Sequence, residues 1–286
     1  MELRQRKIRF HKILLGSLVV MFGVALFILI GTLMASDIVG HQNIKSPLVS
    51  WYDLYGDLPE RDIDPGLISD FEIAENYSHS MGTIYLTFDD GPSEFTGALL
   101  DTLKNYGVKA TFFVTGRGDD EIIKREHDEG HTVALHTFSH NYANIYASVE
   151  NYFADLNQIA DRVKNLTGED AKLIRFPGGS SNLVSARYDG PIKIMSILTN
   201  EVEARGYQYF DWNVDSDDAG RARDADTVFS NVASHLKPGD NVVLQHDVKD
   251  YSVAAVGKII EYGKANGYNF KPLTLDSFTA HHGVNN

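Results

Sequence analysis

The chain has 286 residues, no cysteine and a formal net charge of −13, from 26 lysine and arginine residues against 39 acidic residues. The length permits one large domain with an appendage, and a core of that size is stable without disulfides. An acidic surface repels nucleic acid, so the charge argues against a DNA- or RNA-binding protein.

The first 36 residues predict a membrane anchor. Residues 1–12 form a basic head, and residues 13–36 are mostly apolar and contain no charged residue. A helix needs ~20 such residues to cross a bilayer, and the basic head predicts that it stays in the cytoplasm. A cleaved signal peptide is the alternative, although its apolar region is usually only roughly 7–15 residues long. We therefore expect a single-pass membrane protein with the rest of the chain outside the cell.

Residues 37–80 are expected to form an extracellular spacer, because they show weak periodicity and contain Pro47, Pro59 and Pro65. Extracellular domains of animals and plants commonly carry disulfides. A cysteine-free domain that faces outwards therefore favours the surface of a bacterium. The folded domain is expected over residues 81–286.

From residue 82 onward, strand-like and helix-like stretches alternate. The predicted strands cover residues 83–88, 110–114, 132–135, 173–176, 207–212, 241–245 and 269–273, and the predicted helices cover residues 95–105, 149–166, 192–204, 225–236 and 253–265. Glycines follow several of these helices, which is the usual stop signal. Such alternation predicts an α/β fold, here a distorted and incomplete (β/α) barrel of about seven parallel strands.

Two acidic residues, Asp89 and Asp90, follow the first predicted strand. Adjacent carboxylates at the end of a buried strand repel each other unless a cation, usually a metal ion, neutralises them. His136 and His140 follow the third strand at a spacing that places both on one side of a helical turn. Either motif alone is weak, since Asp-Asp-Gly-Pro is more often a turn. Together, one Asp and two His leave room for a water molecule, which indicates a catalytic metal site.

The same spacing occurs in His127 and His131. His131 precedes the strand predicted over residues 132–135, whereas His136 follows it. In a barrel of parallel strands, catalytic residues lie at the carboxyl ends of the strands. We therefore expect His136 and His140 to share an edge with the two acids, and the other pair to be solvated on the opposite side.

The fourth strand ends in Arg175, followed by Gly178 and Gly179. Arg175 lies among apolar residues, and a buried arginine needs an acidic partner, for which Asp89 is the natural candidate. Glycine lets backbone N–H groups approach a substrate oxygen closely, so this turn predicts an oxyanion-binding site.

His246 follows the sixth predicted strand. A lone histidine after a strand is more often a satisfied core residue. Here it is a candidate proton donor, with Asp218 or Asp247 holding its tautomer. All of these polar residues fall at predicted carboxyl ends of strands, whereas unrelated polar residues would divide between both ends.

These residues form five motifs that resemble, in order, those of the polysaccharide deacetylases of carbohydrate esterase family 4. The motifs are TFDDGP at 87–92, HTFSH at 136–140, RFPGG at 175–179, WNVDSDDA at 212–219 and LQH at 244–246. The resemblance covers about residues 82–275 and extends to bacterial peptidoglycan N-acetylglucosamine deacetylases. Ala219 replaces the usual tryptophan, and Gly178 stands where an aromatic residue is common. The Ala219 departure predicts a groove that is more open there or is filled by another residue, and the two departures together predict a groove less crowded by aromatic side chains.

The resemblance implies a hydrolase that removes N-acetyl groups from a glycan and releases acetate. By the resemblance, Asp90, His136 and His140 hold zinc, with another divalent ion such as Co²⁺ as the alternative. The other implied roles are general base for Asp89, orientation of that base for Arg175, an oxyanion-binding N–H for Gly178, proton donation for His246 and support of that histidine for Asp218.

Peptidoglycan N-acetylglucosamine is the expected substrate, because an anchored bacterial enzyme that faces outwards meets its own wall first. The alternatives are N-acetylmuramic acid, chitooligosaccharides, an exopolysaccharide and acetylated xylan. A non-catalytic glycan-binding protein is the alternative from another class, although the chain contains every residue that the resemblance implies for catalysis.

Overall fold

The computed structural model describes residues 80–190 and 192–286. The basic head, the apolar stretch of residues 13–36 and residues 37–79 of the expected spacer lie outside the described residues, so the anchor stays a prediction. Within the described part, no helix combines the length and the apolar character that crossing a membrane requires.

The described residues contain one parallel sheet. Its strands are β1 (Gly82–Asp89), β2 (Thr111–Val114), β3 (Thr132–Leu135), β4 (Leu173–Ile174), β5 (Gln208–Tyr209), β6 (Val214–Asp215), β7 (Gly239–His246) and β8 (Tyr268–Phe270). Seven of the described strands follow one another in the order β5-β4-β3-β2-β1-β7-β6, and each recorded pair is parallel. Because β5 and β6 end this path, the barrel is open between them. The predicted incomplete α/β barrel is confirmed.

Strand β1 lies at the centre of the sheet. One edge pairs along its whole length with β7, from Gly82 opposite Gly239 to Asp89 opposite His246. The other edge is shared, because β8 pairs with residues 82–84 and β2 pairs with residues 87–89. The carboxyl end of β1, where Asp89 stands, is therefore held by a neighbour on both sides.

The described helices are α1 (Thr96–Tyr106), α2 (Asp120–Asp128), α3 (Tyr142–Ile145), α4 (Val149–Thr167), α5 (Ile194–Ala204), α6 (Ala225–His235) and α7 (Asp250–Ala265). Gly107 and Gly168 end α1 and α4 with left-handed φ values of 64° and 79°, as predicted. Helices α2 and α3 and strand β6 have no counterpart in the sequence prediction. Helix α3 is a single turn of 4 residues and β6 has only 2 residues, so both are too short to show a hydrophobic period. Most of α2 is charged, and its apolar side consists of Ile122 and Ile123 alone.

The side chains of β1 alternate between two cores. Ile84 and Phe88 belong to the larger core, which includes side chains of the helices. Tyr85 belongs to a smaller core with side chains from β2, β3, β4 and β7. By the same alternation, Thr87 and Asp89 continue the face of Tyr85. The face of β1 that carries Tyr85, Thr87 and Asp89 therefore changes from apolar to polar towards the carboxyl end of the strand, where the candidate site lies.

Candidate active site

Asp89 and Arg175 form a buried ion pair, so the pairing predicted from sequence is confirmed. Arg175 Nη1 donates to Asp89 Oδ1 at 2.8 Å, and the two side chains are 0% and 4% exposed. The guanidinium also donates to Thr87 Oγ1 at 2.7 Å and to the carbonyl oxygens of residues 210 and 211 at 3.0 and 2.9 Å. These partners compensate the cost of burying the charge. Asp89 Oδ2 faces His136 Nε2 at 3.7 Å.

Asp90, His136 and His140 bring their ligand atoms within 4.8 Å of one another. Asp90 Oδ1 lies 3.6 Å from His136 Nε2 and 3.3 Å from His140 Nε2. It is buried without a hydrogen-bond partner in the described protein, although buried polar atoms normally have one. Burial alone would raise the pKa of Asp90, but the surrounding histidines, which include His246, and Arg117 together outweigh burial and lower it. An oxygen of this kind, facing two imidazole nitrogens, suits a cation.

The hydrogen bond of His136 Nδ1 determines which ring nitrogen is free. Nδ1 lies 2.8 Å from the carbonyl oxygen of Arg175, which only accepts, so Nδ1 carries the hydrogen. Nε2 therefore keeps its lone pair. Burial lowers the pKa of His136 despite the nearby charge of Asp89, so the ring is neutral. A neutral imidazole with its other nitrogen held by a backbone carbonyl is the form that ligates a metal.

The predicted helical turn for His136 and His140 is wrong. Residues 136–141 form a loop in which Thr137 and His140 have left-handed φ values of 66° and 50°. Buried Asp155 of α4 holds this loop, because its Oδ1 accepts the N–H groups of residues 138 and 139 at 2.6 and 3.0 Å. Backbone strain of this kind persists where the surrounding structure enforces it. Sequence reasoning missed Asp155, which looks like one more acid on an amphipathic helix.

His246 and Asp218 form a second charged pair. His246 Nδ1 donates to Asp218 Oδ1 at 2.7 Å, and the backbone N–H of His246 donates to Oδ2 at 2.7 Å. Burial alone would lower the pKa of His246, but the hydrogen bond to Asp218 and the charges of Asp218, Asp89 and Asp90 raise it to about 9. His246 is therefore protonated at neutral pH. Of the two acids considered as its partner, Asp218 is the one in contact.

Asp247 turns towards the start of α1 instead. Its Oδ2 accepts from Thr96 Oγ1 at 2.5 Å, and its Oδ1 has no partner in the described protein. Burial raises the pKa of Asp247 to about 7. Glu126 of α2 is also fully buried, and burial followed by the charge of Asp247 raises its pKa well above the usual value. Both acids therefore hold a proton more readily than ordinary carboxyl groups do.

Asp211 connects three segments around Arg175. It is fully buried, and its carboxylate accepts the backbone N–H groups of Ser180 and His282, each at 2.8 Å. Its carbonyl oxygen accepts from Arg175. Asp211 thus ties the glycine turn after β4, the C-terminal segment and the buried guanidinium into one network. Sequence reasoning missed it, because nothing in the pattern separates it from the other acids nearby.

His127 and His131 lie at the amino end of β3, opposite the site, as predicted. The expectation that both are solvated is wrong for His131, which is only 5% exposed. Its Nδ1 accepts the backbone N–H of Ala110 at 3.1 Å. Burial lowers the pKa of His131 to about 4, so the ring is neutral at pH 7.

Known proteins are similar to this chain in both sequence and fold. Residues 76–189 match the family model described as polysaccharide deacetylase. A peptidoglycan-N-acetylglucosamine deacetylase of Bacillus cereus is 37% identical over 205 residues, which cover 68% of this chain and 70% of the relative. The chain belongs to the polysaccharide deacetylase family. Polysaccharide deacetylases are hydrolases, and the chain is an enzyme of that class.

Structural similarity agrees with this membership in the polysaccharide deacetylase family. The catalytic domain of a peptidoglycan N-acetylglucosamine deacetylase from Eubacterium rectale has a TM-score of 0.69 at 50% identity, over 71% of this chain and 94% of that domain. A chitin deacetylase of Colletotrichum lindemuthianum is 28% identical over 65% of this chain and 76% of its own length.

The two departures from the polysaccharide deacetylase motifs have different outcomes. Ala219 is exposed, so no large side chain covers the site there. At Gly178 the predicted opening is wrong, because a Cβ added at this position would lie 3.0 Å from Tyr142 Oη. A Cβ added at Gly179 would lie 3.0 Å from Trp212 Cη2. Two aromatic side chains therefore flank the glycine turn.

Proposed function

We propose that this polysaccharide deacetylase is a metal-dependent enzyme that hydrolyses N-acetyl groups of peptidoglycan N-acetylglucosamine. The observation that carries the proposal is the convergence of three groups at the carboxyl edge of one sheet. These groups are the Asp89–Arg175 pair, the cluster of Asp90 with two histidines and the His246–Asp218 pair. Strands β1 and β7 place Asp89 directly opposite His246. Amide hydrolysis needs a base, an oxyanion site and an acid, and this edge supplies all three.

Asp90, His136 and His140 are the residues that would hold the metal, with zinc as the expected ion and Co²⁺ as the alternative. They fit a metal because Asp90 Oδ1 has no partner in the described protein and His136 Nε2 keeps its lone pair. Three protein ligands leave a position for water, as in catalytic rather than structural sites. When bound, a divalent ion acidifies water and polarises the acetyl carbonyl group.

Asp89 is the proposed general base. Arg175 occupies its Oδ1, whereas Oδ2 faces the cluster of metal ligands. Oδ2 takes the proton of the water that attacks the acetyl carbon. The backbone N–H of Gly178 is the proposed donor to the developing oxyanion. The turn after β4 is closed by a different hydrogen bond, from Gly179 N–H to Phe176 O at 2.7 Å, so the Gly178 N–H is not used for that purpose.

His246 is the proposed general acid. Asp218 holds its Nδ1–H, so the hydrogen on Nε2 is the one available to the substrate nitrogen. With a pKa raised to about 9, the ring carries this proton before the reaction begins. As the C–N bond breaks, the proton passes to the leaving amine, and the products are acetate and a free amino sugar. Asp89 gains one proton and His246 loses one, so proton transfer through solvent restores both groups.

Two features support peptidoglycan as the glycan. Relatives named for that activity cover most of the described domain, and the anchor predicted over residues 13–36 would hold the domain beside the cell wall. The predicted spacer of residues 37–80 extends at most roughly 3.3–3.6 Å per residue, which limits the reach to nearby glycan. Chitooligosaccharide is the second candidate, favoured by the similarity to a chitin deacetylase.

Acetate release from peptidoglycan fragments and from chitin oligomers, measured in parallel, tests this proposal. We expect a higher kcat/KM on peptidoglycan fragments, loss of activity with a chelator and recovery with Zn²⁺. A higher kcat/KM on chitin oligomers would move the substrate to chitooligosaccharide. Activity that survives complete metal removal would contradict metal dependence. A folded, metal-loaded protein that releases no acetate from either glycan would contradict the assignment as an active deacetylase.

The proposed location is the bacterial cell surface, with residues 13–36 retained as an uncleaved anchor. The length and uniform apolar character of this stretch support retention. N-terminal sequencing of the mature protein from the membrane fraction tests it. A mature chain that begins near Ser36 would show a secreted enzyme instead.

A further inference from the structure

We infer that Tyr142 is a catalytic residue of this site, whose hydroxyl is a second hydrogen-bond donor to the acetyl oxygen. The inference rests on the proposed function, because it assigns a role within that reaction. It starts from a hydroxyl group that lies against the glycine turn and has no assigned purpose.

The Tyr142 hydroxyl lies over Gly178. A Cβ at Gly178 would stand 3.0 Å from Tyr142 Oη and 3.2 Å from Asn182 Cβ. Gly178 also has a φ of 78°, which residues with side chains rarely adopt. The glycine and the tyrosine therefore form a matched pair, because the missing side chain at position 178 leaves the room into which the hydroxyl reaches.

Packing and a buried hydrogen bond hold the hydroxyl in this position. The Tyr142 ring meets His140 edge-on at 5.3 Å and Tyr146 at 5.7 Å between ring centroids. Tyr146 is fully buried, and its hydroxyl donates to the carbonyl oxygen of Pro177 at 2.8 Å. Tyr146 directly follows helix α3, which begins at Tyr142, so the helix is tied to the residue before Gly178. A donor that is already in place needs no reorganisation during the reaction.

The hydroxyl is available to a substrate. No recorded hydrogen bond of the described residues involves it, and the Tyr142 ring contacts His140, one of the proposed metal ligands. A tyrosine hydroxyl, with an ordinary pKa of about 10, is protonated and able to donate at neutral pH. In the proposed reaction the acetyl oxygen lies beside the Gly178 N–H and becomes negative. This oxygen is the acceptor that the position of Tyr142 fits.

A packing role alone does not explain the hydroxyl. The ring accounts for the contacts with His140 and Tyr146, and a phenylalanine would make the same contacts. Tyr142→Phe therefore separates the two roles, because it removes the hydroxyl and keeps the ring. Tyr262→Phe is the matched control, since Tyr262 lies on α7 and is 37% exposed.

The experiment measures acetate release from a soluble N-acetylglucosamine oligomer by the zinc-loaded full-length protein and both variants, together with the metal content of each. Loss of one oxyanion donor lowers kcat by about 10²–10³-fold in other enzymes, so we expect about 10²-fold for Tyr142→Phe. KM and metal content should stay unchanged, because the interaction forms only in the transition state. Tyr262→Phe should match the wild-type protein.

Three results would overturn the inference while the deacetylase function stands. They are an unchanged kcat in Tyr142→Phe, a raised KM with unchanged kcat, which indicates a ground-state contact with the sugar, and a loss of metal, which indicates that the hydroxyl supports His140. A wild-type protein that is folded and metal-loaded but releases no acetate from this oligomer or from peptidoglycan fragments would instead overturn the proposed function, and this inference with it.

Discussion

Two histidine pairs with identical spacing flank strand β3. His127 and His131 precede the strand, and His136 and His140 follow it. Within the described residues, only the second pair joins a carboxylate in a group that could hold a metal ion, Asp90 with both histidines. In the first pair, His127 faces the exposed acids Asp128 and Glu169. Spacing along the chain therefore does not distinguish a ligand pair from an ordinary one, whereas position relative to the strand does.

His131 and His136 also differ in the backbone group that contacts Nδ1 of each ring. The Ala110 N–H donates to His131 Nδ1 at 3.1 Å, so the hydrogen of this neutral ring is on Nε2, which is buried without a partner in the described protein. His136 Nδ1 instead donates to the Arg175 carbonyl at 2.8 Å and leaves its Nε2 lone pair free. The two rings thus have opposite tautomers. A backbone donor makes one histidine structural, and a backbone acceptor prepares the other as a ligand.

The largest effect is expected from substituting His136 and His131 by alanine, because only the first substitution should abolish zinc binding and activity. We expect His136→Ala to retain no stoichiometric zinc and to release acetate only at background level, because one of three proposed ligands is lost. His131→Ala should still bind one zinc ion per chain. Elemental analysis of both purified proteins, with acetate assays, measures this. Equal metal loss in the two variants would break the comparison.

The adjacent acids Asp89 and Asp90 should respond differently to substitution, because Asp89 is the proposed base and Asp90 is a proposed metal ligand. Asp89→Asn should keep its metal and lose about 10²–10⁴-fold in kcat, because the amide cannot take the proton of the attacking water. Asp90→Asn serves as the contrast and should lose metal affinity. If Asp89→Asn turns over at a near-normal rate, another group is the base.

Substitution of Asp155 should weaken metal binding by His136 and His140, because Asp155 holds the loop between them. It should not affect His127 and His131. Asp155→Ala removes the acceptor for two backbone N–H groups. Loss of such supporting contacts typically weakens metal affinity about 10–100-fold. Asp161→Ala, an exposed acid on the same helix, should bind zinc as the wild-type protein does. Competition titration with a chromogenic chelator gives both affinities, and identical values would remove Asp155 from the site.

The smallest expected effect is the pH dependence of stability that results from the burial of His131. Burial holds the pKa of His131 near 4 instead of 6.5, so below pH 6.5 the unfolded chain binds a proton that the folded chain does not. Stability from this group is complete above pH 6.5 and falls as the pH drops towards 4, with at most about 2 kcal/mol lost by pH 5.

The His131→Gln variant isolates this pH effect, because the glutamine oxygen can accept the Ala110 N–H without titrating. Urea unfolding of both metal-free proteins at pH 7 and pH 5 measures the difference between them. A smaller loss in the variant is expected. The same loss in both proteins would show that His131 is not the group responsible.

The sequence predicted those parts of the site that depend on strand ends. Arg175, Asp89 and His246 follow recognisable apolar runs, and parallel strands bring such residues to one edge. The loop at 136–140 could not be predicted, because its left-handed residues depend on Asp155, a contact across 16 to 17 positions.

Other features were hidden because each depends on a contact distant in the chain. Buried His131 contacts residues about 20 positions earlier, accepting the N–H of Ala110 and packing against the ring of Phe112. The contact between Tyr142 and Gly178 joins a residue that lies just after the second motif to the third motif, 36 positions later. Helix α2 contains only two apolar residues, Ile122 and Ile123, and nothing in its sequence separates buried Glu126 from its other charged residues.

The pairing of β1 with strands that lie near the end of the domain sequence has a consequence for when activity appears during synthesis. β1 is the first strand of the described domain, yet its partners include residues 239–246 and 268–270. Pairings this distant in sequence form slowly, because a long loop must close first. A nascent chain that ends before residue 239 lacks both the proposed proton donor and the strand β7 that pairs with β1 up to Asp89. Hydrolytic activity is therefore expected to appear only when synthesis of the domain is almost complete.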